Sequence, residues 1–190
     1  MNNANQSASV HRSRSAARLL ATQSGGIAAV EFAIILPLML LLYLGSFEIA
    51  EAVALKRQVA LTASTVANIV TQYATISKTT EMPDILDASS AVLTPYPVSN
   101  AVVTVSLISI DGNGNATVAW SQALNGGGRK VGQTVTLPVG LDVPNTSVVL
   151  GETTYAYAPL MDFIHIGTLD LYSSVYMSPR SSSGTILLGP

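Results

Sequence analysis

The spacing of apolar and polar positions changes twice along this chain. From Phe32 to Phe47 there are sixteen consecutive uncharged, mostly apolar residues. Counting back to Ile27 gives twenty-one, interrupted by one acid, Glu31. A helix needs about 20 apolar residues to cross the hydrocarbon of a bilayer, so the run is long enough only if Glu31 is included. Beyond Glu48 and Glu51 the bulk hydrophobicity gives way to a stripe. Leu55, Val59, Ala63, Val66, Val70 and Tyr73 recur every three or four residues, while Lys56, Gln58, Thr62, Thr65, Asn68 and Gln72 fill the other positions. That period belongs to one face of an α-helix. A single helix over residues 27–73 is therefore expected, about 70 Å long at 1.5 Å per residue, with its second half covered by the C-terminal part of the chain.

After residue 75 the pattern shortens. Pro83–Leu93 reads as a short helix with proline near its start and acids in its first turn. Tyr96, between Pro95 and Pro97, reads as a loop. Ala101–Ile110 is β-branched and partly alternating, Asp111–Asn115 is a turn, and 116–122 is the returning strand, with Val118 and Trp120 expected on one face. Asn125–Lys130, rich in glycine, reads as a mobile loop, and Gln133–Leu137 as a short strand. Residues 147–158 and 170–177 are the strongest later strands. Tyr155 and Tyr157 share a face of the first, and Tyr172 and Tyr176 share a face of the second. Paired, they would form a cross-strand ladder of rings. Residues 159–169 link the two strands, with one helical turn. Ser178–Pro190 is rich in serine and glycine and reads as loose. The fold class is α+β: a long transmembrane and spine helix followed by a small antiparallel sheet. The expected divisions are a leader at 1–26, a span at 27–47, its extension at 48–74, a head at 75–180 and a flexible tail at 181–190.

Charge adds an orientation. Only 11% of residues are charged, against roughly a quarter in ordinary soluble domains. Arg12, Arg14 and Arg18 lie in the first 26 residues with no acid; the remainder holds six Lys/Arg and eleven Asp/Glu. Basic flanks resist translocation, which leaves the N-terminus cytoplasmic and the head outside. The acidic remainder offers no nucleic-acid footprint. A secretory signal peptide is the competing reading. Its apolar region is shorter, and only Ala50-Glu51-Ala52 loosely fits a cleavage site. Glu31 itself has two readings: it lies near the interface and reaches water, or it is held in lipid by a partner.

The stretch GGIAAVEFAIILPLMLLL resembles the processing site and helix of type IV pilin-like proteins, and more closely the TadE/TadG-like pseudopilins of Flp (tight-adherence) pili. The matching residues are Gly26, Ala29-Val30-Glu31-Phe32-Ala33 and Pro37, behind a basic leader. Glu152–Arg180, with its Tyr-x-Tyr-x-Pro step and closing Pro-Arg, resembles the distal region of the same proteins less specifically. The resemblance implies that a prepilin peptidase cuts behind Gly26 and leaves Ile27 as the new N-terminus. Glu31, with Phe32, then meets neighbouring subunits, and a neighbour's terminal ammonium pairs with the acid. It also implies a minor or priming subunit, because a major pilin of this system is much shorter. Pro37 removes a backbone donor and is expected to kink the helix.

Little else in the chain suggests chemistry. There is no cysteine, which excludes disulfides, thiolate metal sites and cysteine nucleophiles. His11 and His165 are far apart; His165 near Asp162 and Asp170 is the one cluster resembling a ligand set or general base. Asp111, Asn113 and Asn115 have the alternating oxygens of a calcium loop, but residue 122 is Gln where a bidentate acid belongs. No phosphate loop, nucleophile elbow or catalytic triad is present. The expectation is a non-enzymatic pilin-like subunit without a cofactor, in a bacterial inner membrane or an extracellular pilus. Its expected partners are the lipid bilayer, a prepilin peptidase and other pilin subunits. The alternatives are an uncleaved single-pass protein with an extracytoplasmic binding head, or a secreted enzyme.

Overall fold

A computed structural model describes residues 24–159, 167–182 and 184–190. The arginine-bearing leader, His11, the expected 159–169 turn and the Asp162–His165 pair lie mostly or wholly outside those residues. The chain divides into two units, Met1–Phe47 and Glu48–Pro190.

The first element, α1, is a helix over Ser24–Val70 that runs through Pro37 without interruption. The stripe read from the sequence is its buried face in the second unit: Leu55, Val59, Ala63, Val66 and Val70 are all buried. The helix stops at Val70 rather than Tyr73 because the chain tightens there. Gln72 N–H bonds the Ile69 carbonyl and Tyr73 N–H the Val70 carbonyl, the i to i−3 spacing of a closing turn.

Next come strand β1 (Thr75–Ser77), helix α2 (Glu81–Ser90) with a 3₁₀ turn at Ala91–Leu93, and strands β2 (Ala101–Ile110), β3 (Ala116–Leu124), β4 (Ser147–Tyr157), β5 (Leu169–Met177) and β6 (Leu187–Gly189). Strands β3-β2-β4-β5 form one antiparallel sheet in that order, and β1 and β6 form a separate parallel pair. The α+β class is as expected from the sequence.

The sheet is covered on both faces, which is why β2 buries most of its residues rather than alternating. On one face Val103, Val105, Leu107 and Trp120 pack with Val66 and Val70 of α1 and with Met82 and Ile85 of α2. On the other, Ile108, Ile110, Val118 and Leu150 pack under Val135. A third cluster joins Leu55 and Val59 of α1 to Tyr155 and Tyr157. Gly151 lies where α1 comes closest to β4. A Cβ there would run into the Ala63 carbonyl oxygen and sit 3.0 Å from the Ala67 Cβ.

Four local expectations differ from the structure. Val118 and Trp120 lie in opposite clusters, because the register skips a residue between Leu107/Ile108 and Trp120/Val118. That β-bulge turns one of two like-phased side chains to the other face. The tyrosine ladder does not form: Tyr172 pairs with Thr154 and Tyr155 with Leu171, so the two tyrosine sets occupy opposite faces. Residues 133–137 make one bridge, Thr117 to Thr134, rather than a strand. Finally, the expected loose tail contains β6 and the buried Ile186. The serine and glycine before it obscure the short apolar run Ile186-Leu187-Leu188.

The glycine-rich loop also differs from its reading. Gly126 and Gly128 have no side chain because Val102 and the Ser121 backbone press against them, at 2.6 and 3.1 Å from an added Cβ. Arg129 is thereby carried over the outer face of the sheet.

Candidate functional site

The residues singled out in the sequence all lie on the first turns of α1. Gly26 and Ile27 fall in the first described turn of this helix. A Cβ on Gly26 would meet nothing within 4 Å. Ile27 is 66% and Phe32 60% exposed. Glu31 is exposed too, and no described residue forms an ion pair with it. It sits four residues from Ile27 and three and four from Ile34 and Ile35, which places all of them on one side of the helix. This arrangement is a carboxylate on an apolar surface, with no ion-pair partner among the described residues.

The helix is long and apolar enough to cross a membrane, and none of its most apolar stretch is buried within the protein. Pro37 leaves the Ala33 carbonyl without its usual donor, yet the helix continues on both sides. Near the end of the run, Ser46 Oγ donates to the Tyr43 carbonyl at 2.7 Å.

Residues 26–68 match the sequence family described as TadE-like protein. Much of α1 is a TadE-like segment. No curated protein and no solved structure matches the chain. The TadE-like segment ends two residues before α1 does, so it contains the apolar run and the stripe from Leu55 to Val66 but not Val70.

The structure adds residues to this segment that sequence reading missed. In the sequence, Glu48 and Glu51 mark only the exit from lipid. In the structure, Tyr157 Oη donates to Glu48 Oε2 at 3.0 Å, and Tyr96 Oη donates to Glu51 Oε1 at 3.0 Å. The Tyr96 ring meets Tyr155 edge-on, with centroids 6.3 Å apart. Burial, then the bond to Glu48, pushes the Tyr157 hydroxyl up to about 12; burial and Glu51 also raise Tyr96. Two phenols from distant parts of the head thus hold two successive turns of the TadE-like segment. Their separations of 109 and 45 residues leave no local sequence signal.

On the outer face, Arg129 Nε and Nη2 each reach a Glu152 oxygen at 2.7 Å, and Tyr172 Oη donates to Glu152 Oε1 at 2.7 Å. Burial alone would raise the Glu152 carboxyl. The Arg129 and Tyr172 bonds outweigh it and hold the group below its ordinary value. Lys56 Nζ of the TadE-like segment donates to the Tyr172 carbonyl, so β5 is tied to the helix as well as to this cluster.

The calcium-like loop is a self-capped turn. Asp111 Oδ1 accepts from the Asn113 and Asn115 N–H groups, both at 2.8 Å, and Oδ2 from Asn115 Nδ2 at 2.9 Å. Those bonds, led by the Asn115 side chain, lower the Asp111 carboxyl. Among the described residues no group of three His, Cys, Asp or Glu side chains is placed to hold a metal ion.

Proposed function

We propose that this chain is a membrane-anchored minor pilin or pseudopilin subunit of a tight-adherence pilus. A prepilin peptidase cuts it behind Gly26, and it acts in pilus assembly through its N-terminal helix. The observation that carries the reading is Glu31: an exposed carboxylate, without an ion-pair partner among the described residues, five positions after Gly26 in an apolar TadE-like helix. Placing such a charge at mid-bilayer costs on the order of 3 kcal/mol. Cleavage creates an ammonium at Ile27, and the terminus of a neighbouring helix can neutralise Glu31. Only one axial stagger of two helices satisfies that pair, so the acid sets register. Phe32 is part of the same contact surface, and Pro37 adapts the helix path within it.

The basic leader keeps the N-terminus cytoplasmic and directs the head to the far side of the bacterial inner membrane. In this reading the chain is a peptidase substrate and a structural subunit, and not itself a catalyst. Its partners are the lipid bilayer, the peptidase and other pilin subunits.

N-terminal sequencing of protein extracted from membranes tests the cleavage. A mature chain beginning at Ile27 is expected. Retention of residues 1–26 would sink the processing step and leave an uncleaved single-pass anchor with a binding head. For the register role, Glu31→Gln should preserve membrane insertion and cleavage while reducing incorporation into pili at least tenfold. Wild-type incorporation would refute the charge pairing.

A further inference from the structure

The segment Ile186–Pro190 is seated in the head like a separate ligand. Ile186 is 1% exposed, inside the cluster that contains Ile76, Met82 and Trp120. Trp120 Nε1 donates to the Ile186 carbonyl at 2.9 Å. Leu187 N–H bonds the Ala74 carbonyl, Lys78 N–H the Gly189 carbonyl, and Ser77 Oγ the Pro190 carbonyl. Strand β6 therefore lies parallel to β1 in the register Thr75 to Leu187, Ile76 to Leu188 and Ser77 to Gly189. A parallel neighbour cannot arrive through a hairpin; this one comes from the opposite end of the head's sequence. Among the described residues it pairs as a strand only with β1, itself three residues long.

The segment's connection to the rest of the head suits exchange. Arg180 is fixed to α1: its N–H bonds the Thr71 carbonyl and its Nη2 reaches Asn68 Oδ1 at 3.0 Å. Between Arg180 and Ile186 stand Ser-Ser-Ser-Gly-Thr, with no side chain larger than threonine. Six residues can span at most about 20 Å when fully extended. The seat and strand have the same chemistry within one chain or between two, so exchange keeps their contacts and gives up those of the connecting turn, including Gly184 N–H to the Ser181 carbonyl and Ser181 Oγ to the Thr185 carbonyl. Anchoring in a bilayer raises the local concentration of neighbouring seats.

We infer that Ile186–Pro190 is an exchangeable strand, and that in assemblies of this protein it seats against β1 of a second copy. The inference deepens the assembly role proposed above, but its test does not depend on pilus formation or leader cleavage.

The chain has no cysteine, so introduced ones report unambiguously. Thr75→Cys and Leu187→Cys alter register partners at exposed positions; Leu187 is 63% exposed. The two single variants of the full chain are mixed in lipid vesicles and oxidised. Asn113→Cys, at an exposed turn, replaces Thr75→Cys as the collision control. Trp120 is the sole tryptophan and bonds the seated strand, so parental emission in each variant verifies an occupied seat. A disulfide-linked product of two chains, one bearing Thr75→Cys and the other Leu187→Cys, is expected at least fivefold above the control. Control-level yield between chains, with efficient closure inside one chain of the Thr75→Cys/Leu187→Cys double variant, would overturn the proposal. N-terminal sequencing of the same samples reads the processing step separately.

Discussion

The packing of α1 on the sheet makes its sharpest stability prediction at Gly151. This residue lies at the centre of β4, opposite Val105 of β2 and Val175 of β5. Adding one methyl group there directs it at the Ala63 carbonyl oxygen, with the Ala67 Cβ at 3.0 Å and Val66 Cγ1 at 3.2 Å. The first obstacle is helix backbone, which cannot rotate away as a side-chain tip can. Relief requires α1 to lift from the sheet, opening gaps around Val59, Val66 and Val70. Overpacking of this kind costs roughly 1–3 kcal/mol; the backbone obstacle points to the upper half of that range. For a unit the size of Glu48–Pro190, each kcal/mol moves Tm by roughly 2–4 °C, so Gly151→Ala should lower it by about 4–12 °C. The assay is thermal unfolding of the full chain in detergent micelles, followed by Trp120 emission. Gly127→Ala is the matched comparison, since a Cβ there meets nothing within 4 Å and its φ is not in the left-handed region. That change should leave Tm within about 2 °C, or raise it slightly by restricting the unfolded chain. Equal Tm values for the two variants would refute the close helix–sheet contact.

Tyr157→Phe should cost about 1.5–3 kcal/mol, the worth of one hydrogen bond to a carboxylate, and should change the alkaline response. Because the folded-state value is raised to about 12 from 10, this stabilisation is complete below pH 10 and disappears as pH rises towards 12; a Tm-against-pH series should lose that component in the variant. Arg129→Met strands the Glu152 carboxylate and should cost about 1–3 kcal/mol, since the arginine is 31% and the acid 11% exposed. In the parent the lowered Glu152 value gives stability that is present above about pH 4.5 and fades as pH falls; acid titration of Tm should show this loss, and the variant should lack it. Ile186→Ala should cost roughly 2–4 kcal/mol as a buried large-to-small change and shift Trp120 emission to the red; unchanged emission would contradict the seated strand.

The sequence alone determined the elements whose signals are local. The apolar run from Ile27 to Phe47 and the stripe from Leu55 to Val70 are set by composition and a 3.6-residue period, and both lie in the observed α1. The β2–β3 hairpin and β4 follow from β-branched runs around turns that need Asp, Asn and Gly. Gly26, Ile27, Glu31, Phe32 and Pro37 are close together in the chain, so the sequence alone is enough to put them forward as candidates for processing and assembly.

Tertiary structure decided everything that depends on which strands meet and in what register. Within β4 or β5, alternation fixes which tyrosines share a face. It cannot fix which face, and the pairing of Tyr172 with Thr154 puts the two sets on opposite sides. A single extra residue in β3 separates Val118 from Trp120, and no local rule gives its position. In the sequence, the glycines at 126, 128 and 151 suggest flexibility or nothing at all; they are places where another segment comes too close for a Cβ. Glu48, Glu51 and Glu152 acquire their partners across 109, 45 and 23 residues. Periodicity constrains neighbours along the chain; a carboxylate's partner is chosen by the fold that brings distant residues together.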